Sequence, residues 1–520
     1  MEIIAGGALF DGTGAPGQVA DVAIDGDVIV AVGDLSAMEA PRLDARGLFV
    51  APGFVDLHTH TDATVLLNPS MSSSIRQGVT TELTGNCGMQ VGLSLNGPPF
   101  SLERRLSRDD AGFEWSSLAE FVACIERQGI AGNLAALVGH GTLRKRVMGW
   151  DPNPPDGEAM AQMRRLLCQA LEEGAFGFST GLEYSPGRFA TPAELAALAR
   201  EVAAVDGVYA THLRNEAEGL LEAVEEAIGV ARESGVALQL SHHKAEGRRN
   251  WGRVERTLAR IEEARAAGMD VACDVYPYAA FMTGLGVRTL PAWVQGGSAD
   301  ELAERLRDPD TRTRVLADMQ GLDLDWGRLQ IAVARKDRSL QGRSLAEIAR
   351  ERGLTPQEAV IDVLAGEGGM VAGISFEIAE EDVRAVMRFP HASIISDSGA
   401  RAANGPLAED RVHPRGFGTF PRALGRYVRE ERVLTWEAAI HKMTSLPAAR
   451  IGLRRRGLVR PGAYADLVVF DPETVSDRAT FADPIRYPEG IRHVFVNGVG
   501  VVRDGEETGA RPGRVIRRGE

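Results

Sequence analysis

Two histidines that follow an apolar segment are the first residues in this chain that could do chemistry. The segment 54–57 leads into His58, and a single threonine separates His58 from His60. Side chains at positions i and i+2 of a strand point to the same face, so both imidazoles are expected to project together. Two imidazoles on one face can bind one metal ion. This spacing alone is equally compatible with two ordinary histidines, and the rest of the chain decides between them.

Three further candidate metal ligands follow other apolar segments. Cys87 lies in a turn bracketed by Gly85 and Gly88, and His212 and His242 end two later segments. A thiolate favours zinc and has lone pairs to bridge two ions, so these residues could form either one metal site or two adjacent ones. The alternative for Cys87 is a buried, inert thiol. The neighbouring His243 is one residue out of phase, and we expect it to be structural. His140 could support a metal ligand or simply be buried, and a structural role is slightly favoured.

One carboxylate completes the set of groups that a metal-assisted hydrolase needs. Asp397 ends the apolar segment 392–397, where it could accept a proton from water and pass it to a leaving amine. Lys244, Tyr276 and Arg415 are candidates for substrate contact. Arginine binds a carboxylate bidentately, whereas lysine acts as a point charge.

The elements that must position these residues alternate between short apolar strands and helical segments. This alternation predicts an α/β fold, a (β/α)8 TIM-like barrel whose active site forms at the carboxyl ends of its strands. The candidate ligands and Asp397 fall at such ends. The eight predicted strands are residues 54–60, 80–86, 134–140, 176–181, 208–214, 237–243, 270–276 and 392–397.

The sequence pattern at both ends of the chain differs from that of the middle. Short alternating strands and glycine-rich turns, such as Asn497-Gly498, occur in residues 1–52 and 453–520. We expect these to form one small β-sandwich domain, with the barrel in residues 53–452. The interval before the eighth strand is too long for one helix, which predicts an insertion after the seventh strand at about residues 279–345.

Composition limits the classes of partner. The chain has 520 residues and a net charge of −14, which argues against nucleic acid or an anionic membrane as a main partner. Four irregularly spaced cysteines do not form a disulfide framework. There is no signal-peptide pattern and no apolar stretch of membrane-spanning length, so a cytoplasmic location is expected. The sequence makes no prediction of the oligomeric state.

Motifs along nearly the whole chain resemble those of the amidohydrolase superfamily and, within it, the D-aminoacylase (N-acyl-D-amino-acid deacylase) family. The most specific are Asn86-Cys87-Gly88 and Ser241-His242-His243-Lys244. The others are residues 53–60, 77–81, 138–140, 209–214, 274–278, 413–415, 418–422 and 462–470.

The resemblance implies zinc-dependent hydrolysis of the amide bond of a small N-acyl-D-amino acid. Cys87, His212 and His242 would hold a tight zinc. His58 and His60, with Cys87 bridging, would form a second and weaker site. Asp397 would be the general acid and base, and Lys244, Tyr276 and Arg415 would bind the substrate.

Three segments depart from the family pattern and leave the side-chain preference open. They are Asn215-Glu216-Ala217, the long loop 398–412 and the apolar stretch 280–283.

The sequence disfavours two other functions, a cyclic amidase and a metal-free scaffold. A cyclic amidase of the hydantoinase or dihydroorotase type usually bridges its metals with a carboxylated lysine at the end of strand four. Here that strand ends Ser179-Thr180-Gly181. A metal-free assembly scaffold would have lost ligands, whereas every expected position is filled.

Overall fold

A barrel of parallel strands lies at the centre of the computed structural model, which describes residues 1–93 and 115–520. Neighbouring strands pair in parallel around the ring. Backbone hydrogen bonds from Asp397 N to His58 O and from His60 N to Ser398 O, both 3.0 Å, join the segment after the eighth strand to the segment after the first. Within the described residues the barrel strands are Phe54–Asp56, Val79–Thr84, Asn133–Ala136 with Val138–Gly139, Gly177–Gly181, Val208–His212, Ala237–Leu240, Val271–Val275 and Ala392–Ile394.

All eight predicted strands are present, but seven of them end one to four residues earlier than predicted. The first strand is shortened most. It ends at Asp56 rather than at His60. The Asp56 carboxylate accepts hydrogen bonds from the backbone N–H groups of His58 (3.2 Å) and Ser396 (3.1 Å). With these side-chain hydrogen bonds in place of strand pairing, the first strand ends before the two histidines. His58 and His60 therefore lie in the loop that follows, at the carboxyl end of the barrel.

Amphipathic helices surround the barrel. Leu220–Ser234 buries Leu220, Val224 and Ile228 against the strands and ends where Gly235 adopts a φ of 78°. The described helices are Ser72–Ile75, Leu118–Gln128, His140–Met148, Gly157–Glu172, Pro192–Ala203, Leu220–Ser234, Arg253–Ala266, Leu285–Thr289, Ala299–Arg307, Pro309–Met319, Leu345–Arg352, Pro356–Gly366, Glu380–Arg388, Arg415–Arg422, the π-helix Ala423–Glu430, Trp436–Met443 and Ser445–Arg450. None of them is long and apolar enough to cross a membrane.

A second sheet is built from both ends of the chain, as the sequence predicts. Its buried side chains, which include Ile4, Val22 and Phe495, form a core of their own. Asn497 and Gly498 have φ of 48° and 78° and close a tight hairpin. The described strands of this sheet are Glu2–Leu9, Gln18–Asp25, Val28–Gly33, Arg42–Asp44, Phe49–Pro52, Leu467–Phe470, Ile491–Val496, Val499–Arg503 and Glu506–Glu507. The domain boundaries at residues 52 and 453 stay a prediction.

An insertion separates the seventh and eighth barrel strands. Its antiparallel sheet has Ala372–Ser375 at the centre, paired with Phe281–Gly284 on one side and Leu329–Val333 on the other. Helices between these strands enclose a separate apolar core. The sheet reaches Ser375, farther along the chain than the predicted interval of about 279–345, because its central strand is the last of the three in sequence.

One buried ion pair lies where the terminal sheet meets the barrel, because Asp466 also accepts a hydrogen bond from Asn133 Nδ2 of the third barrel strand at 3.4 Å. Its removal tests the stability of that junction. Arg456 pairs with Asp466 and donates to Asn497 Oδ1 at 2.9 Å. Arg456→Met leaves the Asp466 charge without its partner, so we expect unfolding free energy to fall by about 3–5 kcal/mol. Denaturant titration measures the loss. Arg454→Met, at an exposed site, is the matched control. Equal stability of the two variants would contradict the assigned role of the pair.

Candidate metal centre

Four strands bring the five predicted ligands to the carboxyl end of the barrel. His58 and His60 follow the first strand, Cys87 follows the second, and His212 ends the fifth. His242 follows the sixth strand. His60 is 27% exposed at its side chain, whereas the other four residues are buried.

The predicted ligand atoms fall into two groups that share one sulfur, and a third cluster of possible ligands, Glu183, His212 and Glu216, adjoins them at His212. The first group is Cys87, His212 and His242, and the second is His58, His60, Cys87 and Asp397. In each group the donor atoms lie within 4.8 Å of one another. Cys87 Sγ is 3.3 Å from His58 Nε2 and 3.5 Å from His242 Nε2. Such a shared sulfur is the arrangement that a bridging thiolate requires.

The chemistry of these donors fits zinc. Burial, reinforced by the positive charge of Lys244, lowers the pKa of His242 to about 4. Burial also lowers the pKa of His58 well below its usual range, so both rings are neutral and offer lone pairs. Burial raises the pKa of the Cys87 thiol, and a thiolate at this position therefore needs a cation beside it. One thiolate with several neutral imidazoles is a donor set that zinc prefers.

Asp397 lies between the second group of ligands and an arginine. Its Oδ1 is 3.3 Å from His60 Nε2 and 3.5 Å from His58 Nε2, and its Oδ2 is 2.8 Å from Arg415 Nη1. Burial opposes ionisation, but the Arg415 charge and the imidazoles outweigh it and hold the pKa of Asp397 well below its usual range. The carboxylate is therefore ionised at neutral pH and able to accept a proton.

Three residues of the site adopt backbone conformations that side chains disfavour. Cys87, His242 and Asp397 have φ of 53°, 36° and 49°. Each left-handed residue other than glycine costs of order 1–3 kcal/mol, and such residues cluster at functional sites. Gly88 follows Cys87 and has no room for a side chain, because a Cβ would lie 2.7 Å from Gly181 N. The packing of the Cys87 turn against the fourth strand thus fixes the position of the sulfur.

The three predicted substrate contacts occupy different surroundings. The Arg415 guanidinium stacks on the Tyr276 ring at 4.6 Å. The buried Tyr276 hydroxyl has no hydrogen-bond partner among the described residues. Lys244 Nζ donates to Glu216 Oε2 at 2.5 Å and lies 3.1 Å from His242 Nδ1. Their contact with substrate stays a prediction.

Three carboxylates that contact the predicted zinc ligands are not apparent from the sequence pattern. Glu183 Oε2 is 3.1 Å from His212 Nε2, and Glu216 Oε1 is 3.2 Å from His242 Nδ1. Asp274 accepts a hydrogen bond from the backbone N–H of His242 at 2.5 Å. Asp274 lies on the seventh strand and Tyr276 directly follows it, an i, i+2 spacing that could have placed the two side chains on the same face.

The two histidines expected to be structural lie apart from the ligand groups. His243 Nε2 is 2.7 Å from Thr257 Oγ1 on an outer helix. His140 Nε2 is 2.9 Å from Glu194 Oε1. Neither belongs to a cluster of candidate ligands in the described part of the chain.

The chain is similar to known proteins over nearly its whole length. A model of the amidohydrolase family matches residues 43–502. The chain is 39% identical to a D-aminoacylase of Alcaligenes xylosoxydans xylosoxydans (99% of this chain, 97% of that protein). It is 40% identical to an N-acyl-D-glutamate deacylase of the same organism (99% and 96%).

A solved structure is similar over the same length. It is an N-acyl-D-glutamate deacylase of Bordetella bronchiseptica complexed with zinc and a phosphonate inhibitor that mimics the tetrahedral intermediate of the reaction. Its TM-score to this chain is 0.83 at 37% identity, with 99% of each chain covered.

Proposed function

The chain belongs to the amidohydrolase family, and we propose that it is a zinc-dependent deacylase of N-acyl-D-amino acids. It would hydrolyse the amide of this small substrate to a carboxylate and a free D-amino acid. The observation that carries the proposal is the sulfur of Cys87, which two ligand groups share beside the ionised Asp397. The D-selective relatives support the choice of substrate. A thiol ligand suits a reducing compartment, which favours the cytoplasm.

Two sets of residues would hold zinc. Cys87, His212 and His242 would bind the tight ion, and His58 and His60, with Cys87 shared, would bind a weaker one. Bound zinc supplies a lowered pKa for a water molecule and polarisation of the amide carbonyl.

Asp397 would move the proton that the reaction requires. Water adds to the amide carbon, the carbon–nitrogen bond breaks, and the departing nitrogen needs a proton. The ionised Asp397 would accept that proton from the water and deliver it to the amine. Its Oδ2 is held by Arg415, which leaves Oδ1, on the side of His58 and His60, for proton transfer.

Arg415 and its neighbours would bind the substrate. The Arg415 guanidinium is fixed by Tyr276 stacking and by Asp397, and its remaining donors suit the α-carboxylate of an N-acyl amino acid. The buried, unpartnered Tyr276 hydroxyl would donate to the developing oxyanion. Lys244 would add positive charge to this pocket, although it is bound to Glu216 in the free protein.

A cyclic amidase is the weaker candidate, because strand four offers no lysine to bridge two metals. That strand ends at Gly181, and Leu182 and Glu183 follow. Cys87 is instead the atom common to both ligand groups. Hydantoin and dihydroorotate are therefore expected to be poor substrates.

Hydrolysis of N-acetyl amino acids, with D and L forms in parallel, tests the proposal. We expect the zinc-loaded protein to release free amino acid from D forms alone. A chelator should remove this activity and added zinc should restore it. Turnover of neither form by zinc-loaded protein would overturn the substrate proposal. A protein that binds no zinc would overturn the metal site as well and favour a scaffold.

A further inference from the structure

Glu183 stands beside a predicted zinc ligand because of strand pairing. Gly181, the last residue of the fourth strand, pairs with His212 at the end of the fifth. Leu182 N then donates to His212 O at 3.1 Å. The next residue is Glu183, whose Oε2 reaches 3.1 Å from His212 Nε2. The register of two neighbouring strands therefore delivers this carboxylate to the ring.

The two nitrogens of His212 face different partners. Nδ1 is 3.0 Å from His242 Nε2 and 3.9 Å from Cys87 Sγ, so it points into the first ligand group. Nε2 faces the Glu183 carboxylate. A carboxylate accepts hydrogen bonds, so when His212 binds a metal as a neutral imidazole its remaining proton belongs on Nε2. The lone pair of Nδ1 then points toward the metal site.

We propose that Glu183 is a positioning residue, which fixes the tautomer and orientation of His212 and thereby strengthens zinc binding. Carboxylates that accept from the second nitrogen of a metal-bound imidazole act in this way, and their loss typically weakens metal binding by about 10- to 100-fold. This inference rests on the proposed zinc site but not on the proposed substrate.

Glu216 is the other carboxylate near this ring, and its contacts assign it elsewhere. Its nearest oxygen is 3.6 Å from His212 Nε2, beyond hydrogen-bond distance. The same residue lies 3.2 Å from His242 Nδ1 and 2.5 Å from Lys244 Nζ. Glu216 therefore supports His242 and neutralises Lys244. Among the described residues, Glu183 is the carboxylate within hydrogen-bond distance of His212 Nε2.

Glu183 is the contribution of the fourth strand's carboxyl end to the predicted metal site. In cyclic amidases of the hydantoinase or dihydroorotase type, this strand end usually carries a metal-bridging lysine. Here Cys87 is shared by both ligand groups, and the fourth strand contributes a carboxylate that acts through a ligand instead.

Zinc affinity of three full-length variants tests the proposal. Glu183→Met removes the acceptor, Glu183→Gln keeps an amide oxygen, and Glu222→Gln makes the same charge change at an exposed site on the next helix. Competition with a chromophoric chelator should show zinc binding about 10- to 100-fold weaker in Glu183→Met and an intermediate loss in Glu183→Gln. Glu222→Gln should match the natural protein.

A spectroscopic measurement separates positioning from general destabilisation. In the cobalt-substituted protein, the thiolate charge-transfer and d–d bands should shift in the Glu183 variants and not in Glu222→Gln. Unchanged zinc affinity and cobalt spectra in Glu183→Gln and Glu183→Met would overturn the proposal. If Glu183→Met does not fold, the nearly isosteric Glu183→Gln decides alone. Since neither measurement uses a substrate, failure of the deacylase assay leaves this result independent.

Discussion

Replacing Asp397 with asparagine is expected to lower kcat for an N-acyl-D-amino acid by about 10²- to 10⁴-fold, the usual contribution of a positioned general acid or base. Asparagine has nearly the same shape but cannot accept the proton of the attacking water. In the natural protein Arg415 and the nearby imidazoles keep the carboxylate ionised despite its burial. Steady-state kinetics of the zinc-loaded variant measure the loss.

A control variant and a zinc measurement show whether the loss of kcat in Asp397→Asn comes from proton transfer. Asp34→Asn makes the same chemical change at an exposed residue of the terminal sheet and should leave kcat unchanged. The zinc bound by Cys87, His212 and His242 should remain in Asp397→Asn, because Asp397 is not part of that group. A zinc-loaded Asp397→Asn enzyme with the natural kcat would assign proton transfer to another residue.

The side chains that could be predicted from sequence are those that chemistry marks clearly. Histidine is rare in this chain, with 10 residues in 520, so its recurrence at the ends of apolar segments was informative. Cys87 and Asp397 were found because each follows such a segment. The eight barrel strands were found for the same reason, since buried parallel strands are short apolar runs. The comparisons confirm the fold and the family.

The supporting carboxylates were not predictable by the same means. The chain has 72 acidic residues, and no local pattern shows which of them turn inward. Glu183 reaches His212 only because of the register between two strands, which is a property of the tertiary fold. Glu216 is buried because Lys244 and two imidazoles surround it.

Local backbone geometry is the second feature of the site that could not be predicted from the sequence. The i, i+2 argument placed His58 and His60 on a strand, but the strand ends at Asp56. The two rings still reach the same carboxylate, because backbone bonds tie their loop to residues 397 and 398. Similarly, the left-handed conformations of Cys87 and His242 decide where the ligand atoms point, and no residue type other than glycine marks such positions.

Replacing Cys87 with alanine is expected to weaken both predicted zinc sites at once. Its sulfur is the donor that the two ligand groups share, so the substitution removes one ligand from each. Zinc binding should weaken by more than about 100-fold, beyond the loss typical of an outer-shell contact, and hydrolysis should fall with it. Metal analysis after equilibrium dialysis, together with the chelator competition, measures the change.

The histidine variants show why the shared sulfur matters. His60→Asn removes a donor from the second group alone and should leave one zinc bound, whereas His212→Asn removes a donor from the first group alone. If the sulfur bridges, Cys87→Ala must lose zinc that each histidine variant separately retains. A Cys87→Ala protein that still binds zinc as tightly as His60→Asn would show that the thiol is a packed core group. The site would then consist of imidazoles and Asp397, with no bridge between two ions.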